Sequence, residues 1–246
     1  MERARQPNHQ PGLPTRPHLR AVGLVTLPDH QSVQAFATTW TQFCTATHLL
    51  GPTPGVRERW AAGRTQYAVW AIRIRSDAVS QRVALLQDSL RPWTRPIPST
   101  DLHVTTWVAG FPTVEPTLDD DIHEDALALQ SAALGGQSSF RLAIGAANSF
   151  TTAPFLEVHD PDGGLARIRA ALEAQGPREL RFAPYTPHLT IGTATANHLV
   201  APLRACLEPY RRLPTIEVQV QCIEQLRFDA ARPGARLQTH HTVRLS

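Results

Sequence analysis

The chain has 246 residues, of which 42% are hydrophobic and 18% charged, and its formal net charge is +3. This apolar fraction supports a folded core and excludes a wholly disordered chain, and the length predicts one large domain or two related lobes. All 24 basic residues are arginines, which excludes lysine Schiff bases, P-loop lysines and covalent lysyl–nucleotide intermediates. No apolar run is long enough to cross a membrane, no signal-peptide pattern opens the chain, and the three cysteines form no CxxC pair, so we expect a cytoplasmic protein.

Apolar periodicity divides the chain into three parts. Residues 1–18, which hold four prolines and few apolar residues, are predicted to be a disordered tail. Residues 19–60 are predicted to form a β-α extension, with a strand at 19–27 and a helix at 30–48. Residues 61–246 are predicted to form one domain with two lobes.

Within this domain the pattern β–α–β–α–β runs twice. The first pass has strands at 67–75, 102–110 and 139–146 and helices at 77–91 and 119–135. The second has strands at 154–160, 187–194 and 215–223 and helices at 163–175 and 197–208, and a final strand follows at 236–246. The closing strands alternate apolar and polar residues, which is typical of antiparallel sheets. The sequence therefore predicts an α+β fold with two pseudo-repeated lobes of antiparallel sheet, helices outside and a cleft between the lobes.

The middle strand of each pass carries a His-x-Thr motif, formed by His103 and Thr105 in the first pass and by His188 and Thr190 in the second. Residues i and i+2 of a strand point to the same side, so each motif presents an imidazole and a hydroxyl together. Facing each other across a cleft, one imidazole can accept a proton while the other donates one. The threonine hydroxyls can hold the oxygens of a phosphate, so the arrangement suits in-line displacement at a phosphodiester without a metal or cofactor.

Two other His-x-Ser/Thr patterns lack this context. His30 lies in a polar turn, which favours a capping or surface role. His240 lies in the terminal strand and has no equivalent in the other pass, so we interpret it as structural.

The stretches HVTTW (103–107) and YTPHLTIG (185–192) resemble the 2H phosphoesterase superfamily, which includes RNA 2′,3′-cyclic phosphodiesterases and proteins called 2′–5′ RNA ligases. The resemblance covers roughly residues 65–246. It implies a bilobal fold with both motifs in a central cleft, and catalytic roles for His103, Thr105, His188 and Thr190. It also implies that His103 is the general acid and His188 the general base.

Three residues near the motifs are candidate substrate contacts. Trp107 and Tyr185 flank the motifs and are candidates for stacking on a base, with packing in the core or between the lobes as the alternative. Arg73 lies on a strand face that either lines the cleft or meets solvent. The acidic run at 119–121, followed by Glu124 and Asp125, is interpreted as the favourable N-terminus of a helix rather than as a metal site.

The sequence thus predicts a metal-independent phosphodiesterase that hydrolyses a 2′,3′-cyclic phosphate on an RNA terminus or a nucleotide, with 2′–5′ ligation as a further reaction that the resemblance implies. One alternative is a phosphodiesterase of cyclic oligonucleotide signals or another small cyclic phosphate. Others are a non-catalytic RNA- or nucleotide-binding module and a purely structural domain. The expected partner is the RNA terminus or cyclic nucleotide, not DNA or a membrane, and a monomer is favoured.

Overall fold

The computed structural model describes residues 30–176, 179 and 185–246, so the predicted tail at 1–18 and strand at 19–27 lie outside it. The described helices are α1 His30–Thr45, α2 Val56–Ala61, α3 Asp77–Leu90, α4 Glu124–Leu134, α5 Gly164–Glu173 and α6 Val200–Leu207. The strands are β1 Gln66–Arg73, β2 Thr94–Pro96, β3 His103–Thr113, β4 Asp121–His123, β5 Phe140–Ser149, β6 Pro154–His159, β7 His188–Thr190, β8 Gly192–Ala194, β9 Ile216–Val220, β10 Cys222–Asp229 and β11 Gln238–Arg244. No helix in the part of the chain described is long and apolar enough to cross a lipid bilayer.

A nine-stranded sheet organises the fold, in the order β11-β10-β1-β3-β7-β6-β5-β9 with β4 added beside β3. The neighbours along this order are antiparallel, whereas β4 runs parallel to β3. We call β11, β10, β1 and β3 the first half and β7, β6, β5 and β9 the second half. The halves join where Val104 of β3 pairs with Leu189 of β7. The predicted α+β class is confirmed.

The two passes along the sequence do not coincide with the two halves. Strand β5, predicted to close the first pass, pairs with β6 and β9 in the second half. A short turn joins β5 to β6, which favours an antiparallel hairpin between them. The first half is completed instead by β11 and by β10, a strand that the sequence analysis missed. Assigning each lobe to one continuous pass was therefore wrong.

One face of the sheet is covered by helices that form the main core. The apolar faces of α3 and α5 are both buried there, with Val83, Leu86 and Ile168 among their members. Helix α4 departs from prediction because residues 121–123 form β4 beside β3 before the helix begins. As a result α4 buries Leu127 and Leu134 and leaves Leu129 exposed.

The acidic run before α4 consequently does not cap a helix. Asp120 and Asp121 both accept hydrogen bonds from Arg64, at 2.6 Å each. Burial alone would raise the pKa of Asp121, but the backbone N–H groups of residues 117 and 118 and the Arg64 guanidinium lower it to about 2. The helix-terminus interpretation is confirmed for Glu124 and Asp125, which lie in the first turn of α4, and was wrong for Asp120 and Asp121, whose charges are stabilised by Arg64 and by a turn.

Phe36 of α1 and Trp60 of α2 pack on the opposite face of the sheet, whereas Phe43 near the end of α1 belongs to the main core. On the second half, Phe36 of α1 lies with its ring centroid 6.4 Å from that of Phe155 and 5.2 Å from that of His159. On the first half, Trp60 of α2 contacts Tyr67 of β1, with centroids 4.7 Å apart. These contacts cover parts of both halves of the sheet.

Candidate active site

The pairing of Val104 with Leu189 sets the geometry of the two motifs. Both side chains are fully buried in the main core. Because side chains alternate along a strand, the residues on either side of them point to the opposite face of the sheet, which we call the motif face. Both His-x-Thr motifs therefore present their polar side chains on the same face.

The antiparallel register also fixes which side chains are opposite each other. His103 lies across from Thr190, and Thr105 lies across from His188. Directly opposed residues on one face have Cβ atoms about 4.5–5.5 Å apart, and diagonal ones are separated by about 7–8 Å. The two imidazoles occupy diagonal corners of this square and the two hydroxyls the other corners, so all four side chains border a space suited to one phosphate.

Both imidazoles are held in the same way. Nδ1 of His103 lies 2.8 Å from the carbonyl oxygen of Asp101, and Nδ1 of His188 lies 2.7 Å from that of Thr186. A carbonyl oxygen can only accept, so each Nδ1 carries the proton and donates it. Each neutral ring therefore has its lone pair on Nε2, the nitrogen available for proton exchange.

His103 is poised to be neutral. Burial lowers the pKa of its imidazole below the usual 6.5, the hydrogen bond to the Asp101 carbonyl opposes this, and the positive charge of Arg73 lowers the pKa further. Arg73 is the residue registered opposite His103 on β1. At neutral pH, His103 is thus in the form that accepts a proton.

Arg73 lies beside the motifs, but its donors are used by the protein. Nε donates to Glu224 at 3.2 Å, and the terminal nitrogens donate to the carbonyl oxygens of Thr100, at 2.5 Å, and Leu237, at 3.3 Å. The Arg73 side chain is 10% exposed. These contacts fix the guanidinium next to His103, where its charge acts on the imidazole.

The second half supplies groups around His188 that the sequence analysis did not single out. The rings of Phe150 and Phe155 approach the imidazole edge-on, at centroid distances of 5.1 and 5.3 Å. Glu157 is registered opposite His188 and forms a 2.6 Å ion pair with Arg211. In strand β6, Phe155 and Glu157 alternate with Leu156 of the core. This alternation was visible in the sequence, but it did not show which strand these side chains would adjoin.

Trp107 does not reach the motif face. In the pairing of β3 with β1, Thr105 lies opposite Ala71 and Trp107 opposite Trp70, so Thr106 is an extra residue in β3. This bulge breaks the alternation and turns Trp107 into the main core, where it is 2% exposed. The structure shows core packing, the alternative to base stacking, and leaves no ring face for a base.

Tyr185 joins the two halves. Its hydroxyl donates to the carbonyl oxygen of Thr105 at 3.0 Å, and the guanidinium of Arg169 lies 4.0 Å from the centre of its ring. Arg169 also donates to the carbonyl oxygen of Thr106 at 2.7 Å. Tyr185 therefore lies at the motifs and stabilises β3, with Arg169 covering one ring face.

Of the other His-x-Ser/Thr patterns, the one at His240 is not assembled with the motifs. His240 is exposed on β11, the edge strand of the first half, and His30 begins α1. Among the residues that the structure describes, no group of three or more His, Cys, Asp or Glu side chains is placed to hold a metal ion.

Comparison with known proteins places this chain and its fold in a family. No curated protein matches the sequence. The structure of TT0787 from Thermus thermophilus is similar, with 20% identity, a TM-score of 0.51, and coverage of 73% of this chain and 97% of that one. E. coli LigT complexed with 3′-AMP gives 16% identity, a TM-score of 0.53, and coverage of 74% and 99%. At these identities the likeness shows the fold alone. The model of the 2′-5′ RNA ligase superfamily matches residues 76–232, well over half of the sequence, and the chain belongs to this superfamily of 2H phosphoesterases.

Proposed function

We propose that this protein is a phosphodiesterase that hydrolyses a 2′,3′-cyclic phosphate on an RNA terminus or a nucleotide, with His103 and His188 as an acid–base pair. Membership of the superfamily supports an enzyme acting on phosphodiesters. The observation that carries the finer proposal is the register of β3 and β7. It places two equally supported imidazoles on diagonal corners of one square, with threonine hydroxyls on the others.

The proposed reaction moves two protons. One Nε2 accepts a proton from water as the water oxygen attacks phosphorus. The other Nε2 donates its proton to the ribose oxygen that leaves as its bond to phosphorus breaks. Thr105 and Thr190 donate hydrogen bonds to the non-bridging oxygens, where negative charge grows in the pentacoordinate transition state. The acid, the base and the donors all come from side chains, so we propose that the reaction needs no metal or cofactor.

The lowered pKa of His103 bears on which histidine is the base. A neutral imidazole accepts a proton, so this direction supports His103 as the base and His188 as the acid, the reverse of the order that the resemblance implies. A phosphate anion within about 4–6 Å raises the pKa of an imidazole. If His103 is instead the acid, it takes up its proton only after the substrate binds.

The nature of the phosphodiester points to RNA. A 2′,3′-cyclic phosphate requires the 2′-hydroxyl, which distinguishes RNA from DNA. A structurally similar protein, E. coli LigT, has been solved with the ribonucleotide 3′-AMP, which supports a ribonucleotide ligand. A cytoplasmic location and a monomeric state stay predictions.

The decisive experiment is an assay with 2′,3′-cyclic nucleotides in excess EDTA. We expect the protein to convert the cyclic nucleotide to a nucleotide monophosphate. This activity should persist in the chelator, be lost in His188→Ala and be kept in His240→Ala. Tight binding without turnover would contradict the enzyme and support a binding module. Turnover lost in EDTA and restored by a divalent ion would refute the metal-independent mechanism. Faster turnover of a cyclic dinucleotide would favour the signalling alternative.

A further inference from the structure

A cavity of about 520 Å³ lies at the end of β10, beside the loop that joins β10 to β11. We call residues 230–237 the arginine loop, because its Arg232 and Arg236 line this cavity. The remaining walls include Gln66 and Asp229. The cavity is thus polar and contains more positive than negative side chains.

The guanidinium groups of the arginine loop have no acidic partner among the described residues. Asp229 directs its carboxylate to the loop itself, accepting from the backbone N–H of Ala231 at 3.1 Å. In the described portion of the chain, no carboxylate forms an ion pair or hydrogen bond with Arg232, Arg236 or the nearby Arg95. A guanidinium without an acidic partner is well suited to bind a phosphate, because its planar fork of donors matches the phosphate oxygens.

The arginine loop also touches the catalytic region. The carbonyl oxygen of Leu237 accepts a hydrogen bond from Arg73 at 3.3 Å, and Arg73 is registered opposite His103. At Gly234 a Cβ atom would lie 3.7 Å from a guanidinium nitrogen of Arg95. The loop therefore extends from the neighbour of His103 to Arg95.

Arg95 in turn connects the loop to the second motif. It is registered opposite Thr193, which follows Thr190 closely along the chain. On the other side of Thr190, the registered neighbour is Phe155, which is fully buried beneath Phe36 of α1. A strand leaving the site past Thr190 therefore meets the apolar ring of Phe155 on one side, and the guanidinium groups of Arg95 and the arginine loop lie toward the other.

We propose that the arginine loop, with Arg95, binds the phosphates of the RNA strand that precedes the terminal cyclic phosphate. This inference rests on the proposed function and narrows its substrate class from nucleotides to oligonucleotides. The match to the family model ends at residue 232, so Arg236 and most of the loop lie beyond it.

The test compares two substrates in one double variant, Arg232→Gln with Arg236→Gln. The substrates are a 2′,3′-cyclic mononucleotide and a ten-nucleotide RNA ending in a 2′,3′-cyclic phosphate. For the RNA we expect KM to rise about 5- to 30-fold with kcat unchanged, because two phosphate contacts are lost. The negative slope of log affinity plotted against log salt concentration should become shallower by about 1.4, which is about 0.7 for each lost contact to a single strand. For the mononucleotide, kcat/KM should stay within about 2-fold of wild type.

The control is Arg212→Gln, which removes an exposed arginine before β9 at the opposite edge of the sheet. It should leave both substrates unaffected. An equal loss with Arg212→Gln, an equal loss for both substrates, or no loss for either would overturn the proposal. If wild type turns over neither substrate, the proposed function fails. The arginine loop is then tested by the affinity of wild type and double variant for the same RNA ending in a 3′-phosphate, and equal affinities would overturn its role.

Discussion

Glu224 is a buried carboxylate that holds Arg73 beside His103, and replacing it tests this arrangement. It is 1% exposed and accepts hydrogen bonds from Arg73 at 3.2 Å, Arg75 at 2.5 Å and Thr239 at 2.7 Å. Glu224→Gln keeps the size of the side chain but removes the charge shared by two guanidinium groups.

The contacts set the size of the expected effect. Arg75 is 61% exposed, so its ion pair contributes about 0–1 kcal/mol. Because Arg73 is mostly buried, the loss of its hydrogen bond to a charged carboxylate costs about 1.5–3 kcal/mol. In the variant Arg73 still has its ion pair with Asp101, at 3.6 Å, and its hydrogen bond to the Thr100 carbonyl oxygen. We expect Glu224→Gln to lower the free energy of unfolding by about 1.5–4 kcal/mol, which corresponds to a fall in Tm of roughly 3–16 °C.

The same variant has a defined pH dependence. Burial raises the pKa of Glu224, but the hydrogen bonds from Thr239, Arg75 and Arg73 outweigh it and hold the pKa below the usual 4.5. A carboxylate with a lowered folded-state pKa contributes stability that is present above the unfolded-state pKa and is lost as pH falls through the folded-state pKa. The stability difference between wild type and Glu224→Gln should therefore be full at pH 7 and shrink below pH 4.5.

Urea unfolding monitored by circular dichroism at several pH values measures this difference. The control is Glu217→Gln, because Glu217 lies 3.8 Å from Arg141 and its side chain is 64% exposed. This control should change stability by less than about 1 kcal/mol. A Glu224→Gln variant as stable as wild type at pH 7, or a difference that grows toward low pH, would refute the role assigned to this carboxylate.

The remaining predictions concern the motif side chains. His103→Ala and His188→Ala should each lower kcat roughly 10²- to 10⁴-fold, and the double variant should fall well short of the product because the pair acts as a unit. His240→Ala should leave kcat unchanged. The Tm of each variant shows whether a loss of activity comes from lost chemistry or from lost folding. Activity abolished in His240→Ala but kept in His188→Ala would show that the second motif is misassigned. Thr105→Ala and Thr190→Ala should each lower kcat/KM about 10- to 150-fold, since each removes one hydrogen bond to a charged oxygen, and unchanged rates would exclude that contact. The profile of kcat/KM against pH should be bell-shaped, with its acidic limb below pH 6.5. The reason is that His103 loses its proton-accepting form only as pH falls through its lowered pKa. An acidic limb above pH 6.5 would contradict this.

The sequence by itself determined which faces the local elements present. Val104 and Leu189 alternate with the motif residues, so each strand had to bury its apolar position and expose its histidine and threonine on the other side. The faces of α3 and α5 followed from helical spacing in the same way. Such patterns can be recognised in the sequence because they depend only on the geometry of one segment.

Only the tertiary structure decided which segments meet. Pairing of β3 with β7 turned two separate motifs into one square of side chains, and alternation within each strand carries no information about its partner. The bulge at Thr106 arises between β1 and β3, so the burial of Trp107 was not visible in either strand alone. Likewise Glu224 reaches Arg73 because β10 returns beside β1, far along the chain. Strand partners are chosen by hydrogen bonds and packing across the whole sheet, and these contacts exist only once the chain has folded.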